Sequence, residues 1–124
     1  MRTSRAYIIL LSVVSMLLLA SCGKQQSAKK LVKEFVKEYA TQEIDITSFS
    51  DLDSTRVISD TLLLNMRKTA KNDPLFKSDF QFTAERDTPT LLFIRMRYHE
   101  PDDTLEQSRT FYFNRELTGI VAFK

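Results

Sequence analysis

The chain has 124 residues, 18 basic and 16 acidic, for a net charge of +2, with one cysteine and no tryptophan. A single cysteine forbids an internal disulfide, and two glycines leave no material for a phosphate-cradling loop. Arg2 and Arg5 are the only charges among the first 21 residues, so the remaining 103 carry 16 charges of each sign. That neutral balance lacks the basic footprint that nucleic acid demands.

Arg2 and Arg5 precede an apolar stretch from Ile8 to Leu19, relieved only by Ser12 and Ser15. Its length of about 12 residues falls short of the ~20 that a helix needs to cross hydrocarbon. A basic start, a short apolar core and small residues at its end have the layout of a secretory signal rather than a transmembrane anchor. Leu19-Ala20-Ser21-Cys22-Gly23 then resembles the lipobox of bacterial lipoproteins. The resemblance implies a diacylglycerol thioether on Cys22, cleavage before it, and palmitate-type acylation. An ordinary secretory cut beside an incidental cysteine is the competing reading. The expected organisation is a signal peptide at 1–21, a lipidated cysteine and flexible leash at 22–27, and one α+β domain at 28–124.

The polar run Gly23–Ser27 has no apolar periodicity and predicts a leash reaching at most about 20 Å. From Ala28 to Thr41, Leu31, Val32, Phe35, Val36 and Tyr39 recur on one face of a 3.6-residue period, opposite Lys29, Lys30, Lys33, Glu34, Lys37 and Glu38. This predicts an amphipathic helix with Ser27 as its N-cap. The lysine face reads either as solvated surface or as a membrane-facing patch.

Ile44 to Ser50 reads as a short strand, Asp51-Leu52-Asp53 as a turn and 55–59 as a second strand. Asp60 is expected to cap a helix over 61–71, with Leu62, Leu63, Met66 and Ala70 inward and Asn72-Asp73-Pro74 as the stop. Alternation at Phe80 and Phe82 predicts a strand near 78–86. The strands 90–99, 105–114 and 119–123, separated by turn residues, then form an antiparallel meander.

Pairing Glu100 with Leu105 places Ile94 opposite Phe111 and Leu92 opposite Phe113. Alternation then gathers Leu92, Ile94, Met96, Phe111, Phe113, Ile120 and Ala122 on a core face beneath the first helix. The other face carries Leu91, Phe93, Arg95, Arg97, His99, Ser108, Thr110, Tyr112, Val121 and Phe123. The class is therefore α+β, an N-terminal amphipathic helix packed on a C-terminal antiparallel sheet.

The helix at Leu31–Ala40, the loop Phe49-Ser50-Asp51-Leu52-Asp53-Ser54, and Leu92–Tyr98 with Phe111-Tyr112-Phe113 together resemble small uncharacterised lipoproteins abundant in Bacteroidetes. Many of those have a cystatin-like or NTF2-like fold, and the resemblance implies the same here. The turn 114–119 departs from it by being longer than a tight Asp-Gly hairpin. Gly23 is not the aspartate that retains enteric lipoproteins at the inner membrane, and no acidic surface-export run follows the cysteine. The resemblance thus implies the periplasmic face of the outer membrane.

No catalytic constellation emerges. His99 is the only histidine, no serine sits in a Gly-x-Ser-x-Gly elbow, and lipidation would consume the only thiol. His99, Glu100, Asp102 and Asp103 match neither zinc nor calcium spacing and read as a solvated turn. No metal, cofactor or nucleic acid is expected. The favoured expectation is a non-catalytic module, tethered through Cys22, that engages an envelope protein or a second copy of itself. Its contact face would be Phe93, Arg95, Arg97, Tyr112 and Val121, because exposed aromatic and arginine side chains are favoured at contacts. Equally open is that residues 44–71 cover that face. The alternative function is a small-ligand-binding or enzymatic NTF2-like pocket between helix and sheet.

Overall fold

A computed structural model describes residues 23–124. The elements run α1 (23–39), β1 (Asp45–Phe49), β2 (Asp53–Thr55), α2 (Asp60–Ala70), β3 (Leu91–His99), β4 (Gln107–Phe113) and β5 (Ile120–Phe123). All five strands join one antiparallel sheet in which β1 and β2 pair with the two ends of one edge of β3, and β4 then β5 follow on its other edge. The sequence-based α+β class describes these residues.

Helix α1 includes the stretch expected to be a leash: residues 23–27 are helical. Ser27 is consequently no cap, and its hydroxyl donates back to the Gly23 carbonyl at 2.9 Å. What orders this polar run is tertiary. The Gln25 carboxamide donates from Nε2 to the Ser50 carbonyl at 2.9 Å and accepts the Leu52 N–H at 2.5 Å. Two backbone groups left over between β1 and β2 are thereby satisfied. Further along, Ala28, Val32, Phe35 and Val36 are buried while Leu31 and Tyr39 are half-buried.

Strand β2 lies earlier than expected, at Asp53–Thr55, and pairs with the first residues of β3. The residues that follow turn toward α2. Its N-cap is Ser59 rather than Asp60: the Ser59 hydroxyl accepts the Leu62 N–H at 3.1 Å, and Asp60 occupies the first turn, where its charge suits the helix dipole. Ile58 and Leu63, on either side of that cap, are both buried in one cluster, a hydrophobic staple that sets the entry angle. Leu63, Met66 and Ala70 face inward as expected, but Leu62 is exposed.

The expected strand at 78–86 does not form. Here Lys71 draws the Phe80 carbonyl to its ammonium, and the Thr83 hydroxyl accepts the Ile120 N–H at 3.1 Å where a strand would offer a carbonyl. A single backbone bond, Ala84 N–H to Ile120 O at 3.4 Å, is what remains of pairing with β5. The segment nevertheless covers that edge, and Phe80 is fully buried.

Strands β3 and β4 pair as alternation predicts, Ile94 with Phe111 and Leu92 with Phe113. The last strand does not. Phe113 pairs with Ile120 but Tyr112 pairs with Ala122, so Val121 is an extra residue and the parity of β5 reverses after it. Ala122 therefore joins the face opposite the one expected, and Phe123 takes its place in the main core beside Phe111, with ring centroids 5.4 Å apart. The longer turn before β5 is organised by Asn114. Its Oδ1 accepts the Thr118 and Gly119 N–H groups at 2.9 and 3.3 Å, and Leu117 adopts φ 55°.

Two apolar clusters result, one on each side of the sheet. In the larger, Phe35 of α1 lies 5.9 Å from Phe111, 5.5 Å from Phe123, 5.3 Å from Phe80 and 5.0 Å from Phe76 between centroids. These edge-to-face contacts suit the ring quadrupoles. In the smaller, Leu63 and Met66 of α2 meet Leu91, Tyr112, Val121 and Ala122.

Candidate functional site

Cys22, the expected lipid attachment point, lies outside the described residues. Because residue 23 is already helical, the slack expected between anchor and domain is absent from 23–27. Among the described residues, no helix is long and apolar enough to cross a membrane.

The five residues expected to form a contact face do lie on one side of the sheet, but the structure divides them. Val121 is fully buried and Tyr112 is 5% exposed, both packed in the α2 cluster. The Val121 carbonyl also accepts Arg67 Nε of α2 at 2.8 Å. The middle of the chain thus covers half of the expected face, and Tyr112 and Val121 are corrected to core. Phe93 is half-buried against that cluster, 6.0 Å from the Tyr112 ring. Arg95 and Arg97 remain exposed, with Arg97 Nε 3.7 Å from the Glu106 carboxylate. A narrower strip of Phe93, Arg95 and Arg97 is what faces solvent.

The polar groups that a pocket beneath the helix would use are otherwise engaged. Tyr98 is fully buried and donates to Gln107 Oε1 at 3.2 Å. Burial raises its pKa above the ordinary value, because the phenolate would be desolvated. Arg109 forms a two-pronged pair with Asp73, at 2.7 and 3.1 Å. The principal depressions among the described residues are surface grooves. One of about 300 Å³ runs along the lysine face of α1, and another lies between Val36 and Asp45.

His99, the last residue of β3, holds its Nδ1 3.7 Å from an Asp45 carboxylate oxygen, and in the turn that follows Asp102 adopts φ 64°. Among the described residues, no group of three or more His, Cys, Asp or Glu is placed to hold a metal ion.

One grouping escapes sequence reasoning altogether. Lys24, Arg56 and Arg115 line a single depression of about 510 Å³ with Ser54, Thr88 and Thr90. The three cations come from α1, the loop after β2 and the turn before β5, so no local signal links them. No family model, curated protein or solved structure matches the chain.

Proposed function

We propose that this chain is a lipoprotein of the cell envelope whose domain serves as a non-catalytic binding or accessory module. The observation carrying the reading is the Leu19-Ala20-Ser21-Cys22-Gly23 motif behind a basic, apolar leader. The finer fold proposed is cystatin-like or NTF2-like, on the resemblance of the helix, acidic loop and meander. The proposed location is the periplasmic face of the outer membrane.

The contact surface belonging to this reading is the strip of exposed Arg95 and Arg97 beside half-buried Phe93, facing an envelope protein or a second copy of the chain. A ligand pocket beneath α1 is the weaker reading, since Tyr98 and Arg109 already have partners within the chain.

Fatty-acid labelling with membrane fractionation tests the anchoring. Wild type should carry label and pellet with membranes, and Cys22→Ala should lose the label, because no other thiol exists to accept lipid. A labelled Cys22→Ala chain refutes the reading. For the strip, Arg95→Glu with Arg97→Glu should leave melting nearly unchanged while weakening self-association or partner binding about tenfold, or ~1.4 kcal/mol.

A further inference from the structure

The charges of the 103 residues from Cys22 onward balance, yet they are not evenly spread. Lys24, Arg56 and Arg115 are all exposed, and no carboxylate lines the depression they share. None of the three forms an ion pair with another described residue, whereas Arg67, Arg86, Arg97 and Arg109 each do. The acids Asp51 and Asp53 line an overlapping groove that shares Lys24, Ser54 and Leu92 with it. There the Asp53 carboxylate accepts its neighbour's N–H, that of Ser54, at 2.7 Å. Ser54, Thr88, Pro89, Thr90 and Leu92 complete the lining; the Thr88 hydroxyl already donates to the Thr90 carbonyl at 3.2 Å, so the three cations with the Ser54 and Thr90 hydroxyls are the donors left to an anion.

Its position in the chain says which anion. Lys24 is two residues from Cys22, so its Cα lies within about 8 Å of the Cys22 Cα, whatever path the intervening bonds take. The end of the domain bearing this depression is therefore the end next to the expected lipid.

We propose that the depression lined by Lys24, Arg56 and Arg115 seats the phosphate of an anionic phospholipid headgroup, docking the domain on the bilayer that holds its lipid. The inference rests on the lipoprotein reading. Lipid on Cys22 confines the domain to the surface, and the three cations then fix which end faces it. Each cation near an anionic surface strengthens contact by roughly fivefold, so three together act on the order of a hundredfold.

The test uses the full chain purified from membranes and reconstituted into vesicles of phosphatidylglycerol with phosphatidylcholine, or of phosphatidylcholine alone. Amide hydrogen exchange is followed at Ser54, Thr55, Arg56, Thr88 and Thr90, and the intact mass of the same sample reports attached lipid. Exchange there should slow about tenfold in the anionic vesicles only. The slowing should vanish in Lys24→Gln/Arg56→Gln/Arg115→Gln and persist in Lys30→Gln/Lys37→Gln/Lys68→Gln, which removes equal charge elsewhere.

Equal loss in both triple variants overturns the proposal, since general charge would then suffice. Equal slowing by inorganic phosphate without anionic lipid also overturns it, since the site would then take a free anion. A lipidated chain with unchanged exchange overturns the proposal alone. An intact mass lacking lipid overturns the anchoring reading, and the proposal with it. Unaltered exchange in β3 and β4 shows that each variant is folded.

Discussion

Arg109 of β4 reaches across to Asp73, beyond the end of α2, and grips both carboxylate oxygens, Nε to Oδ2 at 2.7 Å and the second guanidinium nitrogen to Oδ1 at 3.1 Å. The same Oδ1 accepts the Leu75 N–H at 3.0 Å, so one carboxylate both stops the helix and ties its exit to the sheet. Hydrogen bonding to Asp73 raises the Arg109 pKa still further above its ordinary high value. Geometry of this kind, with both side chains largely shielded from solvent, is stronger than a surface ion pair.

Asp73→Ala should therefore destabilise the domain by about 2 kcal/mol, because it strands the guanidinium and frees the Leu75 N–H. Urea unfolding with unchanged slope checks this. A loss under ~0.5 kcal/mol would place the pair among ordinary surface contacts.

Phe111 stands in the middle of the aromatic cluster, within 5.9 Å of Phe35 and 5.4 Å of Phe123, and is fully buried. Phe111→Ala should cost about 3–5 kcal/mol from lost burial and the cavity left behind. Against a typical total of roughly 5–15 kcal/mol, thermal melting should drop sharply or the domain should fail to fold.

Gln25→Ala removes the partners of the Ser50 carbonyl and Leu52 N–H. The expected cost is about 1–2 kcal/mol, moderated because the Ser50 end is exposed to water. Faster amide exchange at Leu52, with β4 unaffected, identifies the cause as local. Retained protection at Leu52 would mean the loop between β1 and β2 holds itself together.

Gly119→Ala tests a close approach rather than a backbone conformation. A Cβ there would collide with the Thr83 side chain and press on the Thr83 backbone at 3.0 Å. The segment covering the β5 edge must shift, at a cost of about 1–3 kcal/mol. Gly119→Ala combined with Thr83→Gly should recover part of that loss in melting experiments.

Alkaline pH probes Tyr98. Its pKa is raised above 10.0 chiefly by desolvation, so the folded chain keeps a proton that the unfolded chain releases. This contribution is complete below pH 10.0 and is lost as pH climbs toward the folded value. Urea midpoints taken across that range should fall with pH in wild type and fall less steeply in Tyr98→Phe. Parallel curves would show that Tyr98 is not the group responsible.

Helix periodicity at 31–39 and strand alternation at 91–99 and 107–113 were legible in the sequence because each rests on a local repeat. The β3–β4 register followed from the same alternation and from the turn between the strands. The expected contact face failed at Tyr112 and Val121 for a different reason. Alternation says which side of a sheet a residue faces, not what covers that side, and α2 covers half of this one.

The sequence by itself determined the α+β class, the amphipathic first helix and the pairing of Ile94 with Phe111, all governed by contacts between near neighbours or by side-chain parity. Tertiary structure alone decided three things. Gln25, in a run expected as a leash but helical, meets backbone groups 25 and 27 residues away. The extra residue Val121 reversed the parity of β5 and exchanged Ala122 for Phe123 in the core. Chain turns distant in sequence brought Lys24, Arg56 and Arg115 around one depression. In each case the deciding partner lies far along the chain, where periodicity carries no information.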